Sequence, residues 1–335
     1  MSYSGGFGPN RYSVAPMVDV SNSVFRRIMR LFSARAMLYT PMIASQAIAR
    51  GKLYLLEHDE SELPCTLQLG GCDEASLRAA AAQAEKAGFT QVNLNAGCPS
   101  DRVSCGSFGA VLMKDPQRLA ELWAAMQGAT ALEVSVKTRI GIDDQDSPEY
   151  TAGLVGGLHK AGCRHVILHA RKAWLQGLSP RQNRSVPPLN YGRVYGIKEM
   201  FPDLMVTVNG GIRTIKEILG HLTMVDGVMQ GRAVIDDPYV LAFVDREVFG
   251  EQGEIPSREE ILYRAIDLYE SEYKGKLALH HFARHLLGLF SGCANARLYR
   301  RHLSENMNSP GADGRVMEDA YRAMGSVIEQ TACTS

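Results

Sequence analysis

Three groups of residues in this chain could do chemistry together. The first carries a thiol. In Asn93-Leu94-Asn95-Ala96-Gly97-Cys98-Pro99, Cys98 sits just past a short apolar run, in a loop bounded by Gly97 and Pro99. A thiol ordinarily holds its proton near neutrality and can give it up, which suits a general acid better than a preformed nucleophile. A lone cysteine is more often inert packing, but Cys98 stands where an apolar run ends, and Cys105 is the weaker candidate. The second group is cationic: Lys137 in Val136-Lys137-Thr138-Arg139 and His169 in His169-Ala170-Arg171. A lysine turned inward is costly unless it meets a negative group. The third group is glycine-rich: Asn209-Gly210-Gly211 and Gly231-Arg232. Glycines let backbone N–H groups approach an anion, a following helix start favours it, and Arg232 can pair with it bidentately.

These groups suit a phosphorylated cofactor lying across one site, and flavin mononucleotide (FMN) fits. Its phosphate would rest on Asn209, Gly210, Gly211, Gly231 and Arg232. Lys137 and Gln68 would bond the ring's polar edge, and Ala15-Pro16-Met17 would offer backbone and a thioether to the ring. The seven cysteines are scattered, with no CxxC pair, so a metal centre is not expected.

The elements that must position these residues alternate. Short runs rich in Val, Ile and Leu read as strands over Tyr12–Val18, Met37–Ile43, Cys65–Gly71, Gln91–Gly97, Glu133–Ile140, His165–Arg171, Met205–Ile212 and Gly227–Arg232. Helical patterns lie between them at Asn22–Phe32, Glu74–Ala87 and Pro116–Gln127, the last with Asp115 as its cap. This is an α/β pattern, and it predicts a (β/α)8 TIM barrel. Gln68, Asn95, Lys137, His169, Asn209 and Arg232 fall at six different strand ends, the rim where such barrels carry their sites. A doubly wound sheet would instead want a glycine fingerprint after the first strand, where Ala15-Pro16-Met17 stands. From Ser257 onward the pattern is wholly helical, with helices read at Arg258–Tyr273, Ala278–Phe290, Ala294–Leu303 and Arg315–Gln330. The expected division is a flexible N-terminus over 1–11, an FMN-binding barrel over 12–249 and a small all-α domain over 257–330.

The chain of 335 residues has 36 basic and 36 acidic side chains. No apolar run approaches a membrane span and no signal peptide is legible, so the expected compartment is the cytoplasm. No obligatory protein partner is evident. The balance hides a bias. Tyr150 to Lys198 holds eight Lys or Arg and no acid, and Lys274 to His302 holds six with four His and no acid. Two such stretches predict a positive face.

Taken together, Val14-Ala15-Pro16-Met17, Leu67-Gln68-Leu69-Gly70-Gly71, the Asn93–Pro99 run, Val136–Arg139, His169-Ala170-Arg171, Asn209-Gly210-Gly211 and Gly231-Arg232 resemble the tRNA-dihydrouridine synthase family. Gly141–Ser147, Lys172–Pro180, Asn183-Arg184, Pro187-Pro188-Leu189 and Leu303–Asn306 resemble the type acting at tRNA positions 20 and 20a. The resemblance runs in order from Tyr12 to Asn306. It implies an FMN barrel with a helical tRNA-binding domain, and NADPH as reductant, although no dinucleotide fingerprint is visible. It implies reduction of D-loop uridines, with hydride passing from the flavin to C6 of a flipped-out uracil and Cys98 protonating C5. Asn95 would hydrogen-bond the base, and Asn183, Arg184, Arg297 and Arg300 would touch tRNA. Val20 and Pro41 depart from the family pattern, where Trp and Glu are expected. A dehydrogenase of a free pyrimidine would share the flavin motifs but leave the basic helical region and the Lys172–Leu189 loop unexplained. An inactive RNA-binding barrel would not need Gln68, Cys98, Lys137 and His169 together.

Overall fold

The computed structural model describes residues 8–100 and 108–325. Cys105, and the last residues of the helix expected to reach Gln330, lie outside the described residues.

Eight parallel strands close on themselves. They are β1 (Tyr12–Val14), β2 (Met37–Tyr39), β3 (Cys65–Gly70), β4 (Gln91–Asn95), β5 (Val134–Arg139), β6 (His165–His169), β7 (Met205–Asn209) and β8 (Gly227–Gln230). Each pairs with the next, and β8 pairs back onto β1. A two-residue strand, Ile43–Ala44, extends beside Leu69 and Gly70. Helices follow the strands, so the fold is the expected TIM-type barrel. Helix Glu74–Lys86 starts at Asp73, which accepts from Ser76 N, and buries Leu77, Ala80, Ala81 and Ala84. Pro116–Gln127 starts at Asp115 as expected. Its Trp123 Nε1 donates to Val134 O at 2.7 Å, tying the helix to β5.

Every strand stands where the sequence placed it, and most stop two to four residues sooner. The reasons are local. Pro16 has no N–H to continue β1. Gly210 and Gly211 take φ of 115° and 77°, which ends β7. Arg171 N turns back onto His169 O at 2.7 Å after β6. Arg232 starts the short helix Arg232–Asp236 rather than ending β8.

The chain forms two compact units: residues up to Ser23 with Ala36–Gly231, and Val24–Arg35 with everything from Arg232 onward. The second unit therefore starts earlier than the expected boundary near residue 250 and includes a helix from between β1 and β2. That helix buries Phe25, Ile28 and Met29. Phe25 meets the His285 ring edge-on at 5.3 Å, and Arg27 grips Glu272 with two 2.6 Å bonds. Helix Arg258–Leu268 is closed by a Ser257–Glu260 capping box and ends in a π-helical turn, Tyr269–Tyr273. Phe282, Leu286, Leu289, Tyr299 and Met317 form this unit's buried interior. The expected helix Ala278–Phe290 is broken into Leu279–Ala283 and a 3-10 turn, Arg284–Leu286. Among the described residues, no helix is long and apolar enough to cross a membrane.

Candidate active site

The strand register brings the polar rim residues together. Gln68 stands opposite Asn93 and Asn93 opposite Ser135, while Asn95 stands opposite Lys137 and His169 opposite Asn209. Lys137 Nζ donates to Asn209 Oδ1 at 3.0 Å. These residues are two strands apart, so the bond crosses the inside of the barrel. Asn209 Nδ2 donates to Met229 O at 2.8 Å, which fixes the amide's direction. Among the described residues, the lysine's partner is thus a neutral carbonyl oxygen. Burial pushes the Lys137 ammonium down to about 7, helped by Arg139 and opposed by Cys98.

The cysteine loop is held from three sides. Asn95 Oδ1 accepts from Gly97 N at 3.2 Å and Cys98 N at 3.1 Å. Cys98 O accepts from Ala110 N at 2.9 Å. Gly97 O accepts from Arg139 Nε at 2.9 Å. A Cβ on Gly97 would stand 3.2 Å from the Thr138 backbone, so glycine lets this loop lie against β5. Cys98 Sγ is partly exposed and 3.3 Å from Ser100 Oγ.

Arg139 is the residue that sequence reasoning quoted but gave no role. It is buried, and its Nη1 donates to Lys172 O and Asn183 O, both at 2.9 Å. One side chain therefore links the cysteine loop to the loop after β6. The signal was present: Lys137 and Arg139 are two apart on a strand and so share its inner face.

The glycine cradle is equally specific. A Cβ on Gly210 would lie 2.7 Å from the His169 ring, and one on Gly211 would lie 2.6 Å from Leu189 and 2.9 Å from Tyr191 Oη. Tyr191 donates to Gly210 O at 2.6 Å and holds the turn. Gly231 is less constrained: its Cβ would meet Ala15 at 3.6 Å and Met17 at 3.9 Å, which places Ala15 and Met17 beside it. Pro16 lies between them, half-buried.

These surroundings match known proteins. The family model described as dihydrouridine synthase matches residues 13–324. A tRNA-dihydrouridine(20/20a) synthase of Vibrio cholerae is 45% identical over 311 residues, 92% of this chain and 95% of that protein. Its counterparts in Pasteurella multocida and Escherichia coli K12 are 44% and 46% identical, covering 96% and 93% of this chain and 98% and 91% of their own. The chain belongs to the dihydrouridine synthase family. Among solved structures, a 2-naphthoyl-CoA reductase superposes with a TM-score of 0.55 at 10% identity, covering 70% of this chain and 50% of its own, a likeness of fold.

Dihydrouridine synthases are flavin-dependent oxidoreductases that reduce uridine in tRNA. The residues present fit a flavin. An enclosed lysine whose partner among the described residues is neutral invites an anionic or carbonyl-rich ligand, and the glycine turn leaves no room for side chains where a phosphate would approach. Gln68, Asn95, Lys137, His169, Asn209, Gly210 and Gly211 all come to one rim. Arg232 is exposed at the start of the second unit.

Two features bear on the expected nucleic-acid face. Asn183 is fully buried: its Oδ1 accepts from Trp174 N at 2.8 Å and its Nδ2 donates to Trp174 O at 2.9 Å. Its amide shapes the loop, while Arg184 beside it is exposed. The first acid-free stretch is also less positive than its sequence. Lys172 and Arg193 pair with Asp146, Arg164 with Asp203, and Lys198 with Asp226. All these acids lie outside the stretch and fold back onto it. In the second stretch, helix Ala296–Asn306 exposes Arg297, Arg300 and Arg301, which take no carboxylate partner among the described residues.

Proposed function

We propose that this dihydrouridine synthase takes FMN as its flavin and NADPH as its reductant, and that it reduces D-loop uridines at positions 20 and 20a. The tethered cysteine loop carries this reading, because it supports a thiol held at the rim beside an enclosed cation. When bound, reduced FMN supplies the hydride that reaches uracil C6. The rest belongs to this chain. Lys137 and Gln68 would hold the flavin's polar edge, where the lysine would stabilise negative charge, and Asn209, Gly210, Gly211, Gly231 and Arg232 would hold its phosphate. His169 packs beside the cradle, and Ala15, Pro16 and Met17 border the ring. Asn95 orients the base. Cys98 gives its proton to C5, completing addition of one hydride and one proton across the double bond. A base in a loop costs least to extrude, which favours a D-loop target.

The helical region over 257–330 serves as the tRNA-binding domain in this reading, through Arg297 and Arg300, with Arg184 contributing from the barrel. Asn183 acts by shaping the loop that carries Arg184. The enzyme works in the cytoplasm, where its substrate is. The deciding experiment mixes NADPH-reduced enzyme anaerobically with tRNA lacking dihydrouridine, and separately with free uridine or orotate, while following flavin absorbance. Fast reoxidation by tRNA alone is expected. Fast reoxidation by the small pyrimidine, with tRNA inert, would overturn the reading.

A further inference from the structure

We infer that Asn93 is a positioning residue: from inside the barrel it braces the Gln68 and Asn95 amides in the direction that the Cys98 loop requires, and so helps to anchor that loop. The inference rests on the reading of Cys98 as the acid, and its test separates the two.

The relay starts from donors that cannot reverse. Backbone N–H groups only donate, so the N–H groups of Gly97 and Cys98 require an oxygen from Asn95. With Oδ1 so placed, Asn95 presents Nδ2 to Gln68, whose Oε1 accepts at 2.9 Å. Gln68 must then turn Nε2 the other way, toward Asn93 Oδ1 at 2.8 Å. Asn93 in turn donates Nδ2 to Ser135 Oγ at 2.9 Å. One direction thus runs through three amides, and Asn93 closes it by accepting a Gln68 proton that would otherwise be buried without a partner. Asn93 and Ser135 are fully buried and Gln68 nearly so, so water does not replace a missing partner without cost.

The relay also fixes what the rim offers. Each amide nitrogen has two hydrogens, and Gln68 and Asn95 each spend one within the relay. What remains on each nitrogen is a donor. A ligand meeting these nitrogens must bring acceptors, such as carbonyl oxygens of a flavin or a uracil. Reversing Gln68 would set donor against donor at Asn95 and pull the oxygen from beneath Cys98.

The test compares Asn93→Leu with Asn93→Asp. Leucine removes the acceptor. Aspartate keeps one, and the Ser135 hydroxyl can turn to satisfy it in either protonation state. The first readout is the rate of Cys98 alkylation by iodoacetamide, followed by peptide mass on the flavin-loaded protein without tRNA. The second is kcat for tRNA reduction. Asn93→Leu is expected to change the alkylation rate at least about threefold and lower kcat about tenfold or more with little change in KM. Asn93→Asp should restore both toward wild type. If Asn93→Leu fails to fold, Asn93→Ser, too short to reach Gln68, is expected to give the same pattern. Wild-type alkylation in the folded acceptor-less variant would overturn the positioning role. Altered alkylation with unchanged kcat would leave that role standing and remove Cys98 from the chemistry.

Discussion

The barrel rim and the basic helix of the second unit solve opposite problems. At the rim, side chains bond to each other before any ligand arrives: Lys137 to Asn209, Asn95 to Gln68, Arg139 to three backbone oxygens. Along Ala296–Asn306, Arg297, Arg300 and Arg301 stand exposed and take no carboxylate partner among the described residues. Fixed geometry is what a proton transfer at one carbon needs. Exposed charge suits a long anionic surface, where counterion release gives affinity without fixed partners. The difference teaches that substitutions at the rim should act on turnover and cofactor retention, and substitutions on the helix on tRNA affinity and its response to salt.

The largest effect is expected at Cys98. Cys98→Ala should lower tRNA reduction by about 100-fold to 10,000-fold, the span of general-acid catalysis, while flavin absorbance stays. Turnover equal to wild type would break the comparison at its strongest point.

Lys137 should give the next effect. With its ammonium pushed down to about 7 by burial, the flavin-free protein holds it largely neutral at pH 8. Carbonyl oxygens at the ring edge accept more strongly from the charged form, so flavin binding at pH 8 should take up a proton. Affinity should fall as pH rises above 7, by up to about tenfold per unit. Calorimetry in buffers of different ionisation heat measures that uptake, and Lys137→Met should abolish it. Equal uptake in both proteins would assign the proton elsewhere.

The smallest effect sharpens the contrast. Arg297→Ala combined with Arg300→Ala should raise KM for tRNA several-fold, leave kcat nearly unchanged and reduce the salt dependence of binding by about two counterions. A fall in kcat with no change in salt slope would move these arginines out of the binding face.

Much of this was legible beforehand. Eight apolar runs separated by helical patterns specified the barrel, because a strand covered on both faces has few other compositions. Cys98, Lys137 and Gly210-Gly211 stood out because a thiol, an inward lysine and a glycine pair each need an unusual setting. Arg139 and Asn93 passed without roles, since a polar residue within a strand reads alike whether it faces a loop, water or another amide. The positive stretch from Tyr150 to Lys198 was misjudged for a related reason: Asp146, Asp203 and Asp226 lie outside it in sequence and beside it in space. Asn183 and Arg184 are neighbours in sequence, but the loop's turn sends one inward and the other out.

The sequence by itself determined the strand order, the family and the residue types at the rim, all of which follow from local pattern and spacing. Only the tertiary structure decided which amide faces which, which arginine is buried, which charges cancel and where Val24–Arg35 packs. Those depend on residues far apart in the chain meeting across strands, and hydrogen-bond direction and ion pairing exist only once they have met.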